Sequence, residues 1–290
     1  MTKECVKVWL DYTQSELNSQ YDQRKLVPNA DDYMARHALL SNDVRKCLKC
    51  QLDVVYGPAP DQILDIFPAP TPGKPVVLYF HGGAWTRWHK DNNSYQATAF
   101  IKRNINFVSV NFSLVPQVNL DELVRQCRAS VKWVWRNAKS FKADPNQLFV
   151  AGHSSGAHVV GLLMVTNWAK KWNIPAGVIK GAIAASGMYD LEPVRLSSRN
   201  DYLNLDDSAV ARNSAIRQIP EGVPPIIIAY GAKEQREFCR QSRAFAAEFR
   251  RLNHPCTELD MPGLNHFQVG EQFADQSSAL MQATYKLIGV

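Results

Sequence analysis

A serine stands between two glycines, directly after a short apolar run. The run covers residues 148–151, the pentapeptide Gly-His-Ser-Ser-Gly covers residues 152–156, and an apolar helical pattern follows. A strand, a tight turn and a helix in this order expose a serine hydroxyl, and the glycines leave room where a Cβ would meet neighbouring backbone. The helix N-terminus favours negative charge that develops beside the serine. We therefore predict that Ser154 is a nucleophile for acyl transfer; the alternative is a small-residue turn without chemistry.

A second glycine-rich motif, the pentapeptide His-Gly-Gly-Ala-Trp at residues 81–85, follows the apolar run at residues 76–80. Glycines at this place let backbone N–H groups approach a reacting carbonyl. Donors aimed at a developing oxyanion are usually the largest single contribution to catalysis. The expected donors are the amides of Gly83, Ala84 and Ser155. Gly82 mainly permits the turn, and His81 is expected to brace the loop through its ring nitrogens.

The general base is expected near the end of the chain, because hydrolases with this serine turn order their triad as serine, acid and histidine. Two histidines lie beyond the seventh apolar run, which covers residues 226–230. His254 precedes a proline at a helix end, before the last run, and points the wrong way. His266 follows the last run in a loop at the carboxyl edge of the sheet, so we predict that it is the base.

The acid that orients the histidine has two candidates. Glu234 lies three residues past the glycine that follows the run at residues 226–230. Asp190 follows the sixth run, a position from which some hydrolases take the acid. Glu237 is expected on the next helix, facing away. We favour Glu234, whose side chain reaches one methylene further than aspartate, and retain Asp190 as the rival.

Eight short runs alternate with longer amphipathic segments and predict the sheet that positions these residues. The runs are residues 52–56, 63–67, 76–80, 107–111, 148–151, 179–184, 226–230 and 256–260. A turn-rich link between the first two suits an antiparallel hairpin, whereas the continuous apolar character of later runs suits parallel strands buried on both faces. The pattern predicts an α/β fold with a mostly parallel eight-stranded sheet flanked by helices, and ligands at the carboxyl ends of its strands.

The N-terminal part of the chain has a different texture. Residues 6–47 are mostly polar and helical in pattern, with a break at Pro28 and Asn29. Because this stretch precedes the sheet and lacks a strong core pattern of its own, we expect residues 1–50 to form a helical extension that covers the active site as a cap. Residues 1–290 are then expected to form a single domain.

Composition excludes several classes of protein. Hydrophobic residues make up 46% of the 290 residues and charged residues 21%, which fits a globular protein and excludes intrinsic disorder. No apolar run reaches the roughly 18 residues of a membrane span, and residues 1–14 carry charge throughout, so we expect no membrane association and a cytoplasmic location. The formal charge of +6 is scattered and accompanies no nucleic-acid-binding motif, so we expect no nucleic-acid partner.

The cysteines have no predicted chemical role. Six are spread over the chain, which is too sparse for a disulfide scaffold. Cys47 and Cys50 form a CxxC pair, but the two further ligands that zinc would need do not follow nearby. We expect reduced packing cysteines, no metal and no cofactor. The sequence leaves a homodimer open.

Together the motifs resemble the kynurenine formamidase (arylformamidase) group of the α/β-hydrolase superfamily, close to the hormone-sensitive-lipase-like esterases. The likeness covers most of the chain. The residues that carry it are 81–85, 152–158, 186–193, 212–214, 237–242 and 266–267, with 21–24, 55–57 and 64–68 near the N-terminus. The His-Gly-Gly-x-Trp motif is fairly specific to this group, whereas Gly-x-Ser-x-Gly is generic to the superfamily.

The resemblance implies an α/β-hydrolase fold and hydrolysis of N-formyl-kynurenine to formate and kynurenine, without a cofactor. On this chain the triad would be Ser154, His266 and Glu234. The group usually has aspartate at the acid position, followed by Ser-Pro where residues 235–236 are Gln-Arg, and Phe112 replaces a tyrosine of the lipase-like enzymes. These departures bear on the substrate more than on the chemistry, since either acid can orient a histidine.

The expected partner is a small aromatic amide or ester, which needs apolar walls. The residues expected at the substrate are Gly82, Trp85, Tyr189 and Phe267, with Trp88 and Tyr95 as further aromatic candidates. Arg87 or His89 could meet a substrate carboxylate; the alternative is solvated surface charge. The competing functions are a carboxylesterase for short-acyl aryl esters, a related amidase, and a hydrolase-fold binding protein without catalysis.

Overall fold

Ten strands form within residues 6–290, the part of the chain that the computed structural model describes. Two form a short N-terminal ribbon and eight form the central sheet. The strands are β1 (Lys7–Trp9), β2 (Tyr12–Thr13), β3 (Gln51–Val55), β4 (Ile63–Phe67), β5 (Lys74–Phe80), β6 (Asn106–Val110), β7 (Ala143–His153), β8 (Ile179–Ala185), β9 (Ile226–Gly231) and β10 (Cys256–Met261). The expectation about residues 1–14 rests partly on residues 1–5, which lie outside the described residues.

The central sheet is mostly parallel, as predicted. Its strand order is β10-β9-β8-β7-β5-β6-β4-β3, with antiparallel pairing only at β3–β4 and β4–β6 within the described residues. Each predicted run overlaps one of these strands. Phe80 lies opposite Gly152, and Gly152 lies opposite Ala184, so the carboxyl ends of β5, β7 and β8 meet at one edge. The loops that leave this edge carry the candidate site.

Helices cover both faces of the sheet. They are α1 (Gln14–Gln20), α2 (Ala30–Cys47), α3 (Ala97–Ile101), α4 (Leu120–Asn137), α5 (Ser155–Met164), α6 (Trp168–Trp172), α7 (Glu192–Arg195), α8 (Asn200–Leu203), α9 (Asp207–Asn213), α10 (Arg236–Arg251), α11 (His266–Glu271) and α12 (Ala279–Ile288). Among the described residues, none of these helices combines the length and apolar character needed to cross a membrane.

The alternation of side chains along β5 divides the core into two layers. Val76 and Leu78 belong to the layer that contains the apolar faces of α4, α5 and α10. Val77 and Tyr79 belong to the opposite layer, which contains side chains of α3, α11 and α12. Because both faces are covered, inner strands such as β5 and β9 are almost wholly apolar, as in other parallel sheets.

The N-terminal segment is only partly helical, so the prediction of a helical pattern from residue 6 is wrong for its first part. Here β1 and β2 pair as a ribbon, in which Val8 and Trp9 have the β-branched and aromatic side chains that suit strands. Leu10 has a φ of 46°, which reverses the chain between the two strands. The predicted break is present, because α2 begins only after Asn29.

Candidate active site

Ser154 occupies the turn between β7 and α5 in a conformation that L-residues rarely adopt. Its φ is 58° and its ψ is −124°, and its amide donates to the carbonyl of Ala185 at 2.9 Å. Such backbone costs of order 1–3 kcal/mol and persists only where the surroundings enforce it. The turn presents the hydroxyl at the carboxyl edge of the sheet, with the N-terminus of α5 beside it.

The flanking glycines are required by close packing of this turn against β5. A Cβ on Gly156 would lie 2.0 Å from the carbonyl oxygen of Phe80, and a Cβ on Gly152 would lie 2.6 Å from the backbone of Gly156. Neither approach is tolerable for a real Cβ, because all the clashing atoms are backbone atoms. The two glycines therefore bring the nucleophile turn close to the loop that follows β5.

His266 is the first residue of α11, where the sequence predicted a loop. Asn265 caps this helix: its side chain accepts from the amides of Phe267 and Gln268. Nε2 of His266 lies 2.9 Å from Oγ of Ser154, and Nδ1 lies 2.6 Å from Oε2 of Glu234. The cap fixes the start of the helix and thereby the direction of the imidazole.

Glu234 is held from its other side by two donors. Its Oε1 accepts from Oγ of Ser186 at 2.6 Å and from the amide of Gly231 at 2.7 Å. The carboxylate is buried, with 7% of the residue exposed. Serine hydroxyl, imidazole and carboxylate thus form one hydrogen-bonded line, which is the arrangement needed to deprotonate a serine.

The rival acids lie elsewhere. Asp190 accepts from the guanidinium of Arg217 at 2.7 Å and from the amide of Glu192, so its carboxylate is already bound away from His266. Glu237 lies on α10 and pairs with Arg240, as expected for a residue that faces away. His254 packs edge-on against Phe249 outside the site.

The loop after β5 leaves two amides free near Ser154. Gly83, Ala84 and Trp85 have φ values of 105°, 54° and 63°, so the backbone turns sharply here. A Cβ on Gly82 would lie 3.1 Å from the Cβ of Ser154. The amides of Gly83, Ala84 and Ser155 donate to no acceptor among residues 6–290, and Gly83 and Ala84 line the cavity in front of Ser154. Unused donors at this place suit a developing oxyanion.

Buried side chains fix the same loop. Trp85 donates from Nε1 to Nδ1 of His158 at 3.1 Å, and from its amide to Oγ of Ser155 at 3.3 Å. His81 stacks on Phe112 at 4.4 Å and its Nδ1 lies 2.8 Å from the carbonyl oxygen of Gly82. Burial lowers the pKa of both His81 and His158 to about 4, so both rings are neutral near pH 7. These contacts tie the loop to α5, which carries the nucleophile.

The cavity in front of Ser154 has aromatic walls and a roof from the N-terminal segment. Its apolar lining includes Met34, Tyr79, Trp88, Tyr95 and Phe267. The segment of residues 21–24 and His37 on α2 line the same space. Tyr33 of α2 stacks on Phe267 at 5.5 Å, and Arg36 and His37 both bind Glu271 of α11. Contacts with the helix that carries His266 therefore hold α2 in place.

Two of the four predicted substrate contacts lie in this cavity and two do not. Gly82 and Phe267 line it. The prediction for Trp85 is wrong, because the positive φ values turn its indole toward His158 and leave the residue 1% exposed. The prediction for Tyr189 is also wrong: its ring stacks on Phe245 at 4.2 Å and is fully buried.

Sequence reasoning missed several residues around the site. Ser186 follows β8 at the carboxyl edge, a position that could have indicated its contact with Glu234. His153 is the variable residue of the serine motif; its Nε2 lies 2.9 Å from the carbonyl oxygen of His266, and burial holds its pKa well below the usual value. Gln23 and Arg199 line the cavity but belong to no chemical motif. Within the described range of 6–290, no cluster of His, Cys, Asp and Glu side chains suits a metal ion.

Comparison with known proteins finds similar sequences and structures among hydrolases. The chain is 29% identical to the kynurenine formamidase of Danio rerio, over 97% of this chain and 98% of that protein. It is 24% identical to the isoprenylcysteine alpha-carbonyl methylesterase ICME of Arabidopsis thaliana, over 66% of this chain and 50% of that protein. The crystal structure of a candidate thioesterase from Silicibacter sp. TM1040 superposes with a TM-score of 0.82, at 22% identity, over 95% of this chain and 99% of that chain.

The profile of the BD-FAE family matches residues 64–249, more than half of the chain. This stretch includes the loop after β5 and the nucleophile turn, and the neighbouring structures share the mostly parallel sheet. The protein is a hydrolase with the α/β-hydrolase fold, and it belongs to the BD-FAE family.

Proposed function

We propose that the protein is a serine hydrolase that cleaves an aryl formamide such as N-formyl-kynurenine to formate and the free amine. The observation that carries the proposal is the line of hydrogen bonds from Ser154 through His266 to Glu234, beneath a cavity with aromatic walls. The near full-length similarity to a kynurenine formamidase supports the choice of substrate.

In the proposed mechanism, Ser154 attacks the formyl carbonyl while Nε2 of His266 accepts its proton. Glu234 accepts a hydrogen bond from the Nδ1–H group, which holds the reactive tautomer and stabilises the imidazolium that forms. The amides of Gly83, Ala84 and Ser155 stabilise the oxyanion. Removing one such donor typically slows the reaction about a hundred- to a thousandfold.

His266 then protonates the leaving aryl amine, and the C–N bond of the tetrahedral intermediate breaks. A water molecule takes the place of the amine, gives its proton to His266 and attacks the formyl-enzyme. Collapse of the second intermediate releases formate and restores the serine.

The aromatic leaving group is expected in the cavity beneath the N-terminal segment. Trp88, Tyr95 and Phe267 offer apolar faces, and segment 21–24 with α2 encloses them from above. We propose that this segment acts as a cap that excludes water from the reacting carbonyl, which strengthens the electrostatic contribution of the oxyanion donors.

A carboxylesterase for short-acyl aryl esters is the second candidate, and the similarity to a plant methylesterase favours it. The two are separated by comparing kcat/KM for N-formyl-kynurenine and p-nitrophenyl acetate, with Ser154→Ala as the control. The proposal predicts efficient hydrolysis of the formamide and none by the control. Rapid ester cleavage with the formamide untouched would establish the esterase instead.

A further inference from the structure

The cavity contains a buried amide whose polar atoms have no partner. Gln23 is 9% exposed, and neither its Oε1 nor its Nε2 forms a hydrogen bond within residues 6–290. It lines the same cavity as Ser154. Leaving a buried polar group unsatisfied costs of order 1–3 kcal/mol, and groups in this state need an explanation. A polar ligand atom in the cavity provides one.

Arg199 is a cation that faces the same cavity without an acidic partner. Its guanidinium donates to the carbonyl of Tyr21 at 2.7 Å and lies 5.3 Å from the centre of the Tyr21 ring. It is half-buried, and within the described residues it forms no ion pair with a carboxylate. Since a guanidinium has five N–H donors, several remain free for a ligand.

Two other arginines line this cavity and are less suited to bind an anion. Arg24 is exposed and already paired with Asp31 at 2.7 Å. Arg87 is exposed, so its guanidinium is hydrated and free to move. Contacts with Tyr21 orient Arg199, so less entropy is lost when it binds a carboxylate in two parallel hydrogen bonds.

Gln23 and Arg199 belong to one locally fixed unit. Arg199 holds the carbonyl of Tyr21, and Gln235 donates to the carbonyl of Asp22 at 2.8 Å. Both contacts anchor the segment that carries Gln23, which begins a short 3₁₀ turn at residues 23–25. The positions of the amide and the guanidinium are therefore coupled through two residues of backbone.

We propose that Arg199 and Gln23 form a subsite for the α-amino acid head group of the substrate. Arg199 binds the carboxylate, and Gln23 donates from Nε2 to the carboxylate and accepts from the ammonium at Oε1. The exposed Asp22 lies at the same cavity and attracts the ammonium. This inference rests on the proposed function and adds a requirement to it: the enzyme selects aryl formamides that carry an amino acid side chain.

The test compares N-formyl-kynurenine with N-formyl-kynuramine, the same molecule without the carboxylate. We expect the wild type to prefer the carboxylated substrate by about 10- to 100-fold in kcat/KM, the range for hydrogen bonds to a charged group. Arg199→Gln should abolish this preference by raising KM for N-formyl-kynurenine more than KM for N-formyl-kynuramine, and Arg199→Lys should retain part of the preference. Gln23→Leu should weaken the binding of N-formyl-kynurenine and reduce the preference for the carboxylated substrate.

The matched control is Arg195→Gln, because Arg195 pairs with Glu192 outside the cavity and should leave the preference unchanged. Binding of kynurenine and kynuramine to Ser154→Ala gives a second readout that needs no turnover. Three results would overturn the subsite. The first is equal binding of kynurenine and kynuramine, and the second is an equal loss of kcat/KM on both substrates in Arg199→Gln. The third is loss of the preference for the carboxylated substrate in Arg87→Gln but not in Arg199→Gln. If the wild type hydrolyses neither formamide, the proposed function fails, and the binding comparison still decides the subsite.

Discussion

Ser186 donates a hydrogen bond of 2.6 Å to Glu234, on the oxygen opposite the one that faces His266. Together with the amide of Gly231 it holds the carboxylate from the side opposite the histidine. Ser186 directly follows β8 and has a φ of 55°. The acid is thus oriented by a neighbouring strand end as well as by its own loop.

Ser186→Ala should lower kcat about tenfold with little change in KM, because the carboxylate keeps only one of its two fixing donors. Steady-state kinetics on the formamide measure this effect. Ser242→Ala is the matched control, since that buried hydroxyl has no partner among the described residues and lies on α10. A kcat unchanged in Ser186→Ala would show that Gly231 alone suffices.

Glu234→Gln should lower kcat by about four orders of magnitude with the fold intact, because an amide no longer selects the reactive tautomer of His266. Glu234→Asp should retain part of the activity, since its carboxylate ends one methylene short of Nδ1. Circular dichroism and steady-state kinetics of the two variants test this.

Asp190→Asn provides the counterpart to these variants. Because Asp190 binds Arg217, activity should remain within a few-fold of the wild type. An inactive Asp190→Asn beside an active Glu234→Gln would transfer the role of acid to Asp190.

Trp85→Phe should reduce both stability and kcat. It leaves Nδ1 of the buried His158 without its donor, which costs about 1–3 kcal/mol of unfolding free energy, and it loosens the loop that carries the oxyanion amides. Urea unfolding and kcat on the formamide measure the two effects. Trp172→Phe, a half-buried tryptophan on α6, controls for loss of an indole. A stable variant with unchanged kcat would contradict the bracing role.

Stability should fall as the pH is lowered from about 6.5 towards 4. Burial lowers the pKa of His81 and His158 to about 4 and that of His153 well below its usual value. Above pH 6.5 these rings are neutral in the folded and unfolded states. Below it the unfolded chain binds protons that the folded protein excludes, so His81 and His158 each cost about 2 kcal/mol of unfolding free energy between pH 7 and pH 5, and His153 acts in the same direction.

Urea midpoints across this range test the pH dependence. His158→Gln keeps an acceptor for Trp85 and a donor for the carbonyl of Asn213, so it should fold. The slope of its unfolding free energy against pH should be smaller by the amount that corresponds to about one bound proton. An unchanged slope in this variant would mean that His158 protonates without unfolding the protein.

The sheet and the glycine motifs were predictable from sequence because each is local. Strands buried on both faces give continuous apolar runs, and the nucleophile turn needs glycines at fixed spacing. The N-terminal ribbon was missed because β1 and β2 are only three and two residues long, too short for a periodic pattern.

Side-chain direction in loops was not predictable. Trp85 and Tyr189 stand beside site residues in the chain, yet the backbone turns both rings into the core. Glu234 and Asp190 both follow strands, and they are separated only by the contacts of Glu234 with His266 and of Asp190 with Arg217. Gln23 and Arg199 are 176 positions apart and line the same cavity only because the N-terminal segment packs over it.

The most direct test of the central claim measures how much formamide hydrolysis remains as an increasing fraction of Ser154 is covalently labelled. The enzyme is treated with a fluorophosphonate in increasing amounts, the labelled peptide is identified by mass spectrometry, and residual turnover of N-formyl-kynurenine is measured. Labelling should fall on Ser154, turnover should vanish in proportion to the labelled fraction, and N-formyl-kynurenine should slow the labelling. Formamide turnover that persists after Ser154 is fully labelled would contradict the account.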